Sequence, residues 1–291
     1  MRKRGKIMAT IIDGKRISGE IRVELAEKTL AFKEKYGIIP GLAVIIVGED
    51  PASRVYVRNK HKACAEVGFY SEVHELSAET SQEQIIALID QLNAQENIHG
   101  ILVQLPLPKH LDEQTILLRI KPEKDVDAFH PYNVGKIMIG DYHVLPCTPA
   151  GVMQLLARSG VSAAGKHCVV IGRSNIVGKP MAMLLLHDNG TVTVCHSRTP
   201  DLKSLTVQAD ILVSAVGRAG FVTADMVKPG AVVIDVGINR NADGKLCGDV
   251  DFEPVSEVAS MITPVPGGVG PMTITMLMQN TLTAATEAMR M

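Results

Sequence analysis

The stretch Val170-Ile-Gly172-Arg173-Ser174-Asn-Ile176-Val-Gly178-Lys-Pro180 closes the apolar run Cys168-Val-Val-Ile171 and decides the fold. Gly172 falls where a strand must turn sharply into a helix. Gly178 would let that helix approach the strand closely, with the helix N-terminus facing a pyrophosphate. The spacing departs from the usual GxGxxG, because Ser174 replaces the second glycine and the third comes one residue late. The bare pattern therefore also fits an ordinary tight strand-to-helix turn. Outward from it, Val192-Thr-Val194, Ile211-Leu-Val213 and Val232-Val-Ile-Asp235 are three more short apolar strands. Helical or loop segments separate them, beginning with Gly178–His187. This rhythm predicts a Rossmann-like dinucleotide-binding domain over residues 149–271.

The end of the second strand selects the dinucleotide. An NAD site carries an acidic residue there, to accept from the ribose 2′-hydroxyl. Here the chain reads Cys195-His196-Ser197-Arg198-Thr199, with no acid before Asp201. Ser197 and Arg198 suit a 2′-phosphate through charge-assisted hydrogen bonds, so NADP is the expected cofactor. Alone, Arg198 reads as a solvated loop arginine. Arg173, able to close on the same phosphate, tips the balance toward binding.

Upstream, residues 8–148 alternate helix-like and strand-like segments. Ile17, Ile21, Leu25 and Phe32 share one face of a helix ending near Gly37. Leu42–Val47 (LAVIIV) is all apolar between Gly41 and Gly48, as in a buried parallel strand. A helix from Ser53 to Val67 is stopped by Gly68, and another follows Ser81. Gly100–Gln104 (GILVQ) is the next buried strand, ended by Pro106 and Pro108. The expected fold class is thus α/β with two domains, the first a parallel sheet covered by helices. The last stretch, 272–291, is helical with no strand after it and is expected to pack back on the first domain and complete it.

Composition narrows the function. Hydrophobic residues make up 46% of 291, enough for two cores, and 30 basic residues against 31 acidic give a formal charge of −1. That balance lacks the basic field a nucleic-acid or membrane-surface protein needs. No apolar run approaches the roughly 18 residues of a transmembrane helix. Five cysteines without a CxxC pair imply neither a metal site nor a disulfide framework, and a reducing cytoplasm is the simplest location. The basic segment before Met8 lacks the apolar core of a signal peptide and is expected to be frayed and without a role.

Four residues are chemically suggestive. Tyr56 and Lys60 lie four apart on one helix face. Gln104 sits at the carboxyl end of a buried strand, where parallel sheets bind ligands. Asp127 follows the lysine-rich loop Lys121-Pro-Glu-Lys-Asp-Val. Singly these read as a solvated lysine, a strand-end amide and a loop cap.

Their surrounding motifs say more. Tyr56-Val-Arg-Asn-Lys60-His-Lys-Ala-Cys-Ala-Glu-Val-Gly68, Gly100-Ile-Leu-Val-Gln104-Leu-Pro-Leu-Pro108, Lys124-Asp-Val-Asp127, Pro146-Cys-Thr-Pro149, Gly172-Arg-Ser174 through Gly178, and Pro264-Val-Pro-Gly-Gly-Val-Gly-Pro-Met-Thr273 occur in this order. Together they resemble the bifunctional methylenetetrahydrofolate dehydrogenase/cyclohydrolase family (FolD type). The one departure noted is Ala128, where that family usually carries glycine.

The resemblance implies NADP-dependent oxidation of 5,10-methylenetetrahydrofolate, then hydrolysis of the methenyl product to 10-formyltetrahydrofolate, which supplies purine synthesis. It makes Lys60 the catalytic lysine and Gln104 its hydrogen-bonding partner. Tyr56 would stack on the substrate's aminobenzoyl ring, and Asp127 would accept from the pterin N–H groups. The glycine- and proline-rich segment 264–271 reads as a loop; the resemblance sets it beside folate and nicotinamide, with Pro266, Gly267 and Gly268 contacting substrate. Gly172, Arg173, Ser174, Ile176, Gly178, Ser197, Arg198 and Ile238 would hold the cofactor. It also implies a homodimer. Two other readings use the same residues: a monofunctional dehydrogenase and a non-catalytic NADP-binding sensor. The intact Tyr56, Lys60, Gln104 and Asp127 set argues against both.

Overall fold

The structure is a computed structural model that describes residues 8–290. The basic segment before Met8, expected from sequence to be frayed, lies outside the described residues. In chain order the first elements are β1 (Thr10–Ile11), α1 (Gly14–Tyr36), β2 (Gly41–Val47), α2 (Pro51–Val67), β3 (Tyr70–Leu76), α3 (Gln82–Ala94) and β4 (Gly100–Val103). Then come α4 (Glu113–Arg119), a 3-10 turn (Pro122–Lys124), α5 (Pro131–Ile139), α6 (Cys147–Arg158), β5 (His167–Ile171), α7 (Gly178–His187) and β6 (Thr191–Cys195). The chain continues through α8 (Leu202–Thr206), β7 (Ile211–Ser214), β8 (Val232–Asp235), β9 (Asn239–Arg240), β10 (Leu246–Cys247), α9 (Phe252–Ser256), β11 (Met261–Ile262) and α10 (Val269–Ala288).

The chain divides into two compact units. One, called the outer unit because it flanks the other in the sequence, comprises Gly19–Cys147 and the described residues from Ile274; the other, called the central unit for its place in the sequence, comprises the described residues up to Ser18 and Thr148–Thr273. The outer unit is built on a parallel sheet of order β3-β2-β4. Its middle strand β2 (GLAVIIV) is buried throughout, which is why it reads as an unbroken apolar run. Ile85, Ile89 and Leu92 of α3 pack on Ile45, Ile101 and Val103 of the sheet. Local chemistry fixes the helix ends. Asp50 accepts from Ser53 N at the start of α2, ahead of Pro51 in the first turn, and Gly68 closes that helix at φ 79. Ser81 and Gln84 form a capping box on α3.

The central unit carries a six-stranded sheet of order β1-β11-β8-β7-β5-β6, parallel at every pairing. Its core sets Val169, Ile171, Leu212, Val233 and Ile262 against Val222 and Val255.

Two boundaries differ from the sequence expectation. A first domain over 8–148 would include β1, but β1 pairs with β11 (Thr10↔Met261, Ile11↔Ile262), and so the first residues belong with the central sheet. The segment 264–271 is not loop throughout, because α10 begins at Val269 with Pro271 in its first turn, where a missing N–H costs no helical hydrogen bond. The C-terminal helix does pack in the outer unit: Asn280 Nδ2 donates to Val126 O (2.8 Å) and Leu145 O (2.7 Å).

Candidate active site

In the outer unit, α2, the end of β4 and the segment after the 3-10 turn bring three of the suggestive residues together. Lys60 is only 8% exposed, and its Nζ donates to Gln104 Oε1 at 2.9 Å. Gln104 Nε2 in turn donates to Leu105 O (2.7 Å), which fixes the amide so that its oxygen meets the lysine. A parallel bridge sets Asp125 beside Ile101, so Asp127 runs level with the carboxyl end of β4. Tyr56, one turn before Lys60 on α2, is 38% exposed.

Burial and charge act against each other in this cluster. Burial pulls the Lys60 ammonium below its ordinary pKa, against the opposing pull of Asp127 and then Cys147. Burial also pushes the Asp127 carboxyl up to about 6, although Lys60 works the other way. Asp127 is not a loop cap. The cap is Asp125, whose Oδ2 accepts from His130 N (2.8 Å) and Asn133 Nδ2 (2.9 Å). Asp127 Oδ1 receives only the weak donor Cys147 Sγ, at 3.6 Å, which leaves acceptor capacity for a ligand. Cys147 and Asn280, which also touch each other, are parts of this cluster that the sequence reading did not single out. Next to it, Ala128 holds φ 56 and is fully buried. A left-handed alanine costs about 1–2 kcal/mol relative to glycine's freedom, so the Ala128 departure falls where a glycine would be unstrained.

In the central unit the glycine turn is built as its spacing suggests. Gly172 has φ 133, and a Cβ there would lie 2.4 Å from Ala215 O; one on Gly178 would lie 2.3 Å from Gly172 O. Only glycines permit this close approach of α7 to β5, and the cradle fits a dinucleotide pyrophosphate. Ser174 does more than replace a glycine: its Oγ accepts from Val177 N (3.1 Å) and Gly178 N (3.3 Å), capping the turn into α7. Those two amides are therefore already engaged, while the serine proton remains available to donate.

Beyond β6, Ser197 and Arg198 are exposed in a turn closed by Thr199, and Gly172 N donates to Cys195 O, so this turn adjoins the glycine turn. Neither Arg173 nor Arg198 has a side-chain hydrogen bond or ion pair among the described residues. The nearest acid, Asp201, caps α8 by accepting from Ser204 N. Ile176 (45%) and Ile238 (51%) are exposed. Pro266, Gly267 and Gly268 also lie in the central unit, against the start of α1, where Lys15 N donates to Gly267 O (3.0 Å). The sequence reading missed two fully or nearly buried carboxylates here, Asp235 (3%) and Asp249 (0%).

Comparison with known proteins matches residues 12–127 to the tetrahydrofolate dehydrogenase/cyclohydrolase catalytic domain and residues 146–289 to the NAD(P)-binding domain of the same family. The chain belongs to the tetrahydrofolate dehydrogenase/cyclohydrolase family. Within this family it is 60% identical over 281 residues to the bifunctional protein FolD of Magnetococcus marinus, covering 97% of this chain and 99% of that one. The bifunctional FolD structure from Campylobacter jejuni is 52% identical with a TM-score of 0.93, over 96% of this chain and 99% of the other. The family's Trypanosoma brucei dehydrogenase-cyclohydrolase, whose structure holds NADP cofactor and inhibitor, is 44% identical with a TM-score of 0.93, over 98% and 100%.

Proposed function

We propose that this protein oxidises 5,10-methylenetetrahydrofolate with NADP and hydrolyses the methenyl product to 10-formyltetrahydrofolate. The observation that carries the reading is the buried Lys60 amine on Gln104, beside the Asp127 carboxylate that accepts from Cys147 Sγ, in a chain 60% identical to a bifunctional relative. NADP, when bound, takes a hydride from the carbon that bridges two folate nitrogens. That step needs no strong base from the protein, only positioning.

Hydrolysis does need one. Water adds to the methenyl carbon, and a proton must leave as the ring opens. Burial disfavours the ammonium form of Lys60 and so eases its exchange of a proton, and Gln104, itself fixed on Leu105 O, holds the lysine nitrogen in one place. Asp127, with its carboxylate free of backbone donors, is the acceptor for the pterin N–H groups. Tyr56, exposed on the same helix, offers a ring face to the aminobenzoyl group. In the central unit Arg173, Ser197 and Arg198 are assigned to the 2′-phosphate. Gly172, Ser174, Ile176, Gly178 and Ile238 line the rest of the cofactor, with Pro266, Gly267 and Gly268 on the folate side. The folate domain is then the outer unit and the NADP domain the central one.

The same reading makes the protein a cytoplasmic homodimer whose product feeds purine synthesis. Among the described residues no helix is long and apolar enough to cross a membrane. Methenyltetrahydrofolate hydrolysis measured without any cofactor tests the proposal. Rapid loss of the methenyl chromophore over the uncatalysed rate supports two activities. A rate equal to buffer, with NADPH still formed from the methylene substrate, leaves a monofunctional dehydrogenase.

A further inference from the structure

Asp249 is fully buried, yet it organises an exposed edge of the central sheet. Its Oδ2 accepts from Ser214 Oγ (3.2 Å), Val216 N (2.7 Å) and Gly217 N (3.2 Å). Its Oδ1 accepts from Arg218 N (2.8 Å) and Asn239 Nδ2 (2.9 Å). One carboxylate thus holds three consecutive amides after β7 and a side chain after β8. A carboxylate with this many donors is held rigidly, and so are the donors.

The niche is built for it. A Cβ on Gly237 would lie 2.1 Å from Asp249 Oδ1, so only glycine there admits the carboxylate. Asp235 locks the other side of the niche, accepting from Asp249 N (2.9 Å), Val250 N (2.9 Å) and Gly237 N (3.0 Å). A Cβ on Gly248 would in turn lie 1.8 Å from Asp235 Oδ2. The two aspartates are therefore set reciprocally, each on the glycine beside the other.

What they hold is at the ligand edge. In an open parallel sheet the dinucleotide lies across the carboxyl ends of the strands at the switch point, here between β5 and β7. The glycine turn after β5 and the arginine turn after β6 take the adenosine half and its phosphates. The other half falls on the ends of β7 and β8, where Gly217, Arg218 and Ile238 are exposed and the Gly217 and Arg218 amides donate to the buried Asp249. The contact of Gly172 with Ala215 O puts the loop after β7 against the phosphate turn itself. We infer that Asp249 is a positioning residue for the cofactor: it sets the backbone of 216–218 and 237–239 into the wall on which the nicotinamide half of NADP rests. This rests on the NADP reading above.

The test is an NADP titration by calorimetry, run beside amide hydrogen exchange of the ligand-free protein. The wild type is titrated first. Asp249→Asn keeps the size but turns one acceptor into a donor facing backbone N–H groups. The expected result is an NADP Kd raised at least tenfold and exchange at Val216, Gly217 and Arg218 accelerated at least tenfold. Because that substitution is fully buried and could prevent folding, Asn239→Ala is made in parallel. Asn239 is only partly buried, and Asn239→Ala takes away one of the five donors to Asp249; it is expected to raise Kd several-fold with a melting temperature near the wild type. Folded variants whose Kd and exchange rates equal the wild type's overturn the assignment of Asp249. If Asp249→Asn does not fold, an unchanged Kd in Asn239→Ala overturns it. A wild type that fails to bind NADP overturns the cofactor reading, and this inference with it.

Discussion

Asp127 stands against two forces that a structural aspartate would avoid. Burial raises its carboxyl to about 6 from the ordinary 3.8, and no backbone N–H compensates. For an acid whose folded pKa lies above the unfolded one, the native state binds the extra proton. The contribution of Asp127 to stability is therefore greatest below about pH 4 and falls as pH rises toward 6. Two pKa units correspond to about 3 kcal/mol at neutral pH, less what the replacement amide itself costs. Asp127→Asn is thus expected to melt higher than the wild type at pH 7, with the difference shrinking toward pH 4. The same variant should bind a folate analogue ten- to a hundredfold more weakly, since an amide donor would face the pterin donors at about 1–3 kcal/mol. Melting curves at pH 4.5 and 7 beside an analogue titration check both, and a lowered melting temperature with normal affinity would make Asp127 structural after all. Arg198 poses the matching question for the cofactor. Arg198→Ala combined with Ser197→Ala should narrow the NADP over NAD preference in kcat/KM at least tenfold, each charge-assisted bond contributing roughly 1.5–3 kcal/mol. An unchanged ratio would move the phosphate to Arg173.

At the scale of elements, the approach of α7 to β5 is the feature with least tolerance. Gly178→Ala would press a methyl to 2.3 Å from Gly172 O, so the turn must open. NADP affinity should drop at least tenfold, read by titration; unaltered binding would mean that the turn carries no phosphate. This element is legible from sequence because glycine at fixed spacing after an apolar run has few other uses. The buried strands β2, β4, β5, β7 and β8 are legible for a related reason, being covered on both faces and so apolar but for His167, Ser214 and Asp235 at strand ends. Strand β3 is not. It is an edge strand with β2 as its one neighbour, and Tyr70-Ser-Glu-Val-His-Glu-Leu76 carries polar residues on its partly exposed positions. The two-residue strands β1 and β11 are too short to show a period, which is why the first boundary falls elsewhere than 8. The site divides likewise. Lys60 and Gln104 are visible through the motifs around them. Asn280, Cys147 and Asp249 act through partners far away in the chain, such as Asn280 on Val126, 154 positions apart, and no local pattern marks them.

For the whole molecule, each chemistry is assigned to its own compact unit: proton handling to Lys60 and Gln104 in the outer unit, dinucleotide binding to the glycine and arginine turns in the central one. The family relationship fixes what the units are for, and the charge balance of −1 over 291 residues leaves anion binding to local groups such as Arg173 and Arg198 rather than to a general basic field. Lys60 is proposed to handle the proton of hydrolysis. Lys60→Met keeps the length and apolar stem of the side chain while removing its nitrogen. The decisive measurement is methenyltetrahydrofolate hydrolysis by this variant without cofactor, with an NADP titration to show that the protein is folded. Hydrolysis lowered more than a hundredfold with NADP binding intact is the predicted result. Hydrolysis within about tenfold of the wild type, roughly 1.4 kcal/mol of barrier, would contradict it.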